Sequence, residues 1–178
     1  MRVRLTDEIS FTKQMELLDN EFAQIVKRHK RTIYTVCLMF SREKDELDDL
    51  FQEVLINIWK GLPAFRGGSK VDTWIWRVSL NTCIGIDRSK KRRGSSLPVT
   101  EGLSLIDDGD DGRQIGMLYD RIHRLQPFDR AIVLLWLENL PYEEIASIVG
   151  ITVKNVSVRL FRIKEELLSS VKISCAST

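Results

Sequence analysis

The sequence predicts an all-α protein: two small helical domains, residues 1–93 and 114–178, joined by a flexible acidic linker at 94–113. Three observations carry that prediction. Apolar residues recur at helical spacing on both sides of the linker, and no segment alternates with the period of a strand. Glycine, serine and aspartate collect in the stretch between. A chain of 178 residues is long enough for one ordinary domain or two small ones, each with a modest core.

The first helical pattern runs from Phe22 to Phe40, with Ile25, Val26, Ile33, Val36 and Cys37 between. From Asp45 onward Leu47, Leu50, Phe51, Val54, Leu55, Ile58 and Trp59 hold one face of a second helix. Its other face carries Asp45, Asp48, Asp49, Gln52 and Glu53, and Gly61 and Pro63 end it. Phe65–Asp72 (FRGGSKVD) reads as a loop, and Thr73 as the N-cap of the next helix, TWIWRVSLNTCIGIDRSKKRR. Trp74 and Trp76 lie about 200° apart on that helix, so one packs inward and the other faces outward. Gly85 lies within it at a cost of roughly 1 kcal/mol in propensity, marking a bend or a close contact. The stretch GSSLPVTEGLSLIDDGDDG, Gly94 to Gly112, cannot bury enough apolar surface to order itself. Beyond it come Gly116–Leu125, a break at Pro127, Asp129–Leu137, a turn at Asn139–Pro141, Tyr142–Val149, and a helix from Thr152 to about Val171.

Charge follows the same division. Residues 1–93 carry 18 Lys and Arg against 13 Asp and Glu, and residues 113–178 carry 9 against 7. Residues 94–112 hold five acids and no base. No apolar run approaches the ~20 residues that cross a bilayer, and MRVRLTDEIS lacks the apolar core of a secretory signal. Cys37, Cys83 and Cys175 are widely spaced and odd in number, which points to reduced thiols in a cytoplasm and to neither a disulfide framework nor a zinc site. No phosphate-cradling glycine loop, nucleophile motif or metal-ligand spacing is present, and the histidines His29 and His123 fall in separate domains, as surface or helix-packing residues. The expectation is a soluble protein that is not an enzyme and needs no cofactor or metal.

YEEIASIVGITVKNVSVRLFRIK has the spacing of a helix-turn-helix. Ala146 is small where two helices cross, Gly150 supplies the positive φ of the turn, and Val156 is apolar where the second helix packs back. Ile145, Val149, Ile151 and Leu160 complete a small core, and Thr152 caps the second helix. That helix offers Lys154, Asn155, Ser157, Val158, Arg159, Phe161 and Arg162 on faces free of packing, and in this motif it enters the major groove. Asn155 and Arg159 are residue types that read adenine and guanine edges, while Lys154 and Arg162 suit phosphate. A plain helical hairpin would not call for so basic a second helix.

The two halves together resemble the extracytoplasmic-function class of bacterial sigma factors. DELDDLFQEVLINIWKGLPAFRG followed by TWIWRVSLNTCIGIDRSKKRR resembles their region 2, and LQPFDRAIVLLWLENLPYEEIASIVGITVKNVSVRLFRIKEEL resembles their region 4, in that order and with no further domain between. The resemblance implies an alternative sigma factor whose partners are core RNA polymerase (the β′ clamp helices and the β flap), promoter DNA and an anti-sigma protein. It implies that Asp48, Asp49, Gln52 and Glu53 meet the polymerase, supported by Leu50, Ile56 and Trp59. By the same resemblance the loop with Phe65, Gly67, Gly68, Ser69 and Lys70, and Val78 and Asn81 beyond it, capture a flipped base of the minus-ten element, either Trp74 or Trp76 lies near the strand separation point, and Arg77 holds phosphate. Arg88, Lys90, Lys91, Arg92 and Arg93 then hold phosphate. Thr152, Lys154, Asn155, Ser157, Val158, Arg159, Phe161 and Arg162 contact the minus-thirty-five element. The acidic linker either mimics RNA along the transcript exit path or serves as a spacer.

The chain departs from the family pattern at Ser157 and Val158, where a basic and a small polar residue are usual, which implies fewer phosphate contacts and an apolar contact to a thymine methyl. The tail SSVKISCAST is too short for another domain. The competing reading is a stand-alone helix-turn-helix regulator with an N-terminal protein-interaction domain. A helical interaction module without DNA function is opposed by the basic recognition helix.

Overall fold

The computed structural model describes the backbone of residues 2–92 and 118–175, and side-chain surroundings for 16–92 and 118–167. The acidic linker, Arg93 and the side chains of the C-terminal tail lie outside the described residues. Every regular element among those described is helical.

Helix α1 (Arg2–Phe40) begins well before the apolar pattern that predicts it. Its buried face is Ile33, Val36, Cys37 and Phe40, with Phe22 and Ile25 packed alongside. In α2 (Lys44–Gly61) Leu47, Leu50, Val54 and Ile58 are buried, and Asp45 and Glu46 lie in the first turn, where the helix dipole favours negative charge. The Glu46 carboxylate accepts the backbone N–H of Arg42 at 2.6 Å. Gly61 has a packing reason: a Cβ there would meet the Trp74 ring at 3.1 Å.

A short turn at Leu62–Ala64 leads into α3 (Val71–Arg92). The predicted cap at Thr73 is incorrect, because the helix starts two residues earlier and Thr73 is buried within its first turn. The close contact expected at Gly85 is also absent, since a Cβ would meet nothing within 4 Å and the helix continues unbroken. Ile75, Trp76, Leu80, Cys83 and Ile84 form its inner face. Cys37 and Cys83 are free thiols within this core.

The second half starts with the described part of α4, residues 118–124. Helix α5 (Pro127–Leu137) opens with its proline in the first turn, where the missing N–H costs no helical bond. It closes through Asn139 at φ 59°, a residue type that tolerates the left-handed region. Helix α6 (Tyr142–Val149) ends at Gly150, φ 76°, whose N–H donates to the Ala146 carbonyl at 2.9 Å. Helix α7 (Val153–Cys175) follows, with Thr152 Oγ1 accepting the Asn155 N–H at 3.2 Å. Val156, Leu160 and Ile163 face inward and share the buried core with Ile132, Leu135 and Ile145, where α7 packs on α5 and α6. The turn, the cap and the small core are as the spacing predicts.

The two halves pack directly against each other, with α3 meeting α5 and α6, and α1 meeting α5. Arg77 of α3 donates through Nη2 to the Ser147 carbonyl at 2.6 Å and through Nε at 3.2 Å. Buried Arg130 places its guanidinium 5.1 Å from the Phe40 ring centroid and donates to the His123 carbonyl at 2.7 Å. His29 packs beneath Asp72, its Nδ1 at 3.3 Å from the carboxylate, and burial lowers its pKa. Both histidines are thus packing residues. Neither ring nitrogen of His123 meets a hydrogen-bond partner among the described residues.

Burial, reinforced by Arg130 and Arg42 against the opposing Glu46, holds the His123 pKa down to about 4. The unfolded chain therefore takes up this proton first as pH falls. Stability present above the ordinary histidine value of 6.5 is lost on the way down to about 4. The urea midpoint is expected to fall across that window, and His123→Asn to flatten the fall. An unchanged slope in the variant would assign the acid sensitivity to other groups.

Candidate nucleic-acid interface

Three surfaces carry the residues singled out in the sequence. The first is the loop before α3 and the outer face of that helix. Gly67 adopts φ 71°, and beyond the adjoining residues nothing among the described residues lies within 4 Å of where a Cβ on Gly67 or Gly68 would be, so the loop backbone is open to an approaching group. Ser69 is half-buried and Lys70 exposed. Phe65 lies against Trp74, ring centroids 4.8 Å apart and tilted by 30°. The two tryptophans divide as helical geometry requires. Trp76 is 7% exposed and belongs to the core, which removes it from the DNA-facing set, whereas Trp74 is half-buried at the loop.

Trp74, half-buried Val78, exposed Asn81, Gly85, exposed Arg88 and Arg92 share one stripe of α3 by their four- and three-residue spacing. Gly85 lies on that stripe between the asparagine and the first arginine, a position that its propensity cost alone did not suggest. Behind it Thr82 accepts from Asn57 Nδ2 at 3.1 Å and donates to the Val78 carbonyl at 2.8 Å, tying α3 to α2. The basic end is partly engaged: Lys90 pairs with Glu46 at 2.6 Å and Lys91 with Asp87 at 3.7 Å. Arg77 points to α6 instead of standing free.

The second surface is the outer face of α2. Asp48, Asp49, Gln52 and Glu53 are exposed, and Ile56 keeps 43% of its surface in solvent. Leu50 is only 3% exposed, so it supports this face from inside and cannot meet a partner. Trp59 packs edge-on against Phe22, ring centroids 5.2 Å apart. Four acid or amide groups on two turns make a face suited to a basic partner.

The third surface is α7. Thr152, Lys154, Asn155, Ser157, Val158, Arg159, Phe161 and Arg162 are all exposed, Phe161 by 68%. A concavity of about 520 Å³ runs along this helix between Asn155, Val158, Arg159, Arg162 and Asp129. Arg159 donates through Nη1 to Asp129 at 2.6 Å, and its guanidinium lies 5.1 Å from the Phe128 centroid. Asp129 and Phe128 lie inside the segment that resembles region 4, but nothing local in the sequence ties them to Arg159. The same holds for Ser147 beneath Arg77. Among the described residues no cluster of His, Cys, Asp and Glu could hold a metal ion. No described helix is long and apolar enough to cross a membrane.

Comparison with known proteins identifies the family of both halves. The family model described as Sigma-70 region 2 matches residues 25–93, and that described as Sigma-70, region 4 matches residues 115–167. The chain is 26% identical to the ECF RNA polymerase sigma-E factor of Haemophilus influenzae, over 97% of this chain and 98% of that one. It is 28% identical to the ECF RNA polymerase sigma factor SigW of Bacillus subtilis, over 87% and 91%. Two solved structures share the fold, each at 19% identity. The sigma factor RpoE of Bartonella quintana, solved with the anti-sigma factor NepR, superposes with a TM-score of 0.69 over 86% of this chain and 98% of that one. CnrH, solved with the cytosolic domain of CnrY, does so with a TM-score of 0.63 over 90% and 91%.

Proposed function

The chain belongs to the sigma-70 family, in its extracytoplasmic-function class, and from that premise we propose how its surfaces divide the work of initiation. As an alternative sigma factor it binds core RNA polymerase and directs it to promoter DNA. The observation that carries this function is the pair of matches, region 2 followed by region 4 with one connector between. A regulator with an unrelated N-terminal domain has no reason to carry region 2.

In the proposed division, residues 1–93 bind core enzyme and the minus-ten element, 94–113 connect, and 114–178 bind the minus-thirty-five element. The α2 face of Asp48, Asp49, Gln52 and Glu53 docks on the β′ clamp helices, with Ile56 as its apolar contact. The second half meets the β flap. The loop at Gly67–Gly68, with Phe65, Trp74, Val78 and Asn81, receives a flipped base, and Arg88 and Arg92 lie farther along the same stripe toward the strand's phosphates. Helix α7 enters the major groove, where a hydrogen-bonding amide, a guanidinium and exposed Val158 can discriminate base pairs. An anti-sigma protein covers these polymerase-binding surfaces, a reading supported by the partners named for the two similar structures. The chain performs no chemistry of its own and acts inside the cell on the polymerase.

Asn81→Ala is expected to slow open-complex formation about tenfold, consistent with losing one good base-edge hydrogen bond, while binding to core enzyme stays unchanged. Initiation from a matched and a pre-melted promoter, with retention on immobilised polymerase, checks this. An equal fall in both would remove Asn81 from the base pocket. The competing regulator reading predicts no transcription from core polymerase plus this chain alone.

A further inference from the structure

Arg159 is held from two sides by α5. Its Nη1 donates to Asp129 Oδ1 at 2.6 Å, and the Phe128 ring centroid lies 5.1 Å from its guanidinium carbon. The arginine side chain is 45% exposed and the carboxylate 24%. We infer that Asp129 is a positioning residue for promoter readout, aiming the Arg159 guanidinium at a base edge in the groove. The inference rests on α7 being the helix that reads the minus-thirty-five element.

The physical argument has three parts. An arginine side chain has many rotamers, and one fixed before contact loses less freedom when it meets a base. A guanidinium carries its donors in a rigid fork, so one held through Nη1 keeps the Nε–Nη2 edge for a second acceptor pair, such as O6 and N7 of guanine. The holder is itself rigid. Asp129 lies in the first turn of α5, where the dipole favours its charge, and α5, with Ile132 and Leu135 among its buried residues, packs on α7. A half-exposed pair of this kind contributes little to folding, so its short contact is better explained by orientation than by stability. The same carboxylate lies at a surface that approaches phosphate. Removing it should therefore raise affinity for any DNA while lowering discrimination.

The test uses the full chain assembled with core RNA polymerase. Binding is measured by competition among promoter fragments varied at each minus-thirty-five position, with a promoterless fragment as the nonspecific reference. Asp129→Ala is expected to lower discrimination about tenfold at one base pair, the same one affected by Arg159→Ala, as part of what a bidentate arginine–guanine contact supplies. Binding to the promoterless fragment should stay level or rise. The double variant should discriminate no worse than Arg159→Ala, and Asp129→Glu should recover part of the loss. A rise in affinity for all fragments with discrimination intact would overturn the inference, because Asp129 would then restrain Arg159 instead of aiming it. Losses spread over every position, with a lowered unfolding midpoint and no recovery in Asp129→Glu, would show a merely structural role and overturn it too. If Arg159→Ala itself changes no base preference, the reading of α7 fails, an outcome distinct from a failure at Asp129 alone.

Discussion

Leu160→Ala is expected to destabilise the second helical half by about 2–5 kcal/mol and to abolish minus-thirty-five recognition near physiological temperature. Leu160 is 1% exposed, on the inner face of α7, where it packs with Val156 and Ile163 against the α5 and α6 residues. Truncating it removes the transfer energy of three buried carbons and leaves a void that tightly packed neighbours fill only in part. The loss is a large fraction of the stability of a small domain. This inner face holds α7, the proposed recognition helix, in place, so the functional loss would follow from packing with every exposed side chain of α7 intact. Urea unfolding should give a lower midpoint, and promoter binding should lose its dependence on the upstream element while retention on core polymerase persists. An unchanged midpoint would place Leu160 outside the core that supports α7.

The second large effect is electrostatic. Glu53→Lys should weaken binding to core polymerase on the order of a hundredfold, the scale found when a charged group at a complementary interface loses its partner. Glu53 is exposed on α2, and its helix is held from the opposite side by Leu50, Val54 and Ile58, so the fold should be unaffected. The helical circular dichroism and unfolding midpoint should match the parent chain. Retention on immobilised polymerase should fall, and fall less at high salt, because screening weakens attraction and repulsion alike. Binding that is equal to the parent at low salt would remove this face from the docking surface.

Much of this molecule was legible in one dimension because its rules are local. Apolar spacing determined where α2, α6 and α7 run and which faces turn inward. The turn needed a residue at positive φ, and Gly150 is there; the helix after it needed an oxygen for its first N–H groups, and Thr152 supplies it. The family was indicated by resemblance: Asp45–Gly67 with Thr73–Arg93 resembles region 2 and Leu125–Leu167 resembles region 4, in that order.

What only the tertiary structure decided involves residues distant in sequence. Periodicity states that Trp74 and Trp76 point apart, but which of them enters the core depends on how the other helices pack around α3. Leu50 reads as part of an interface until its burial removes it. Thr73 has the chemistry of a cap, yet the chain enters the helix two residues sooner because Val71 packs against the core. The Arg77–Ser147 and Arg159–Asp129 contacts, and the buried His123, join segments whose separation carries no sequence signal. A helix can announce its inner face through its own spacing; the partner that meets that face is chosen by packing across the whole fold, where one geometry must satisfy all the helices at once.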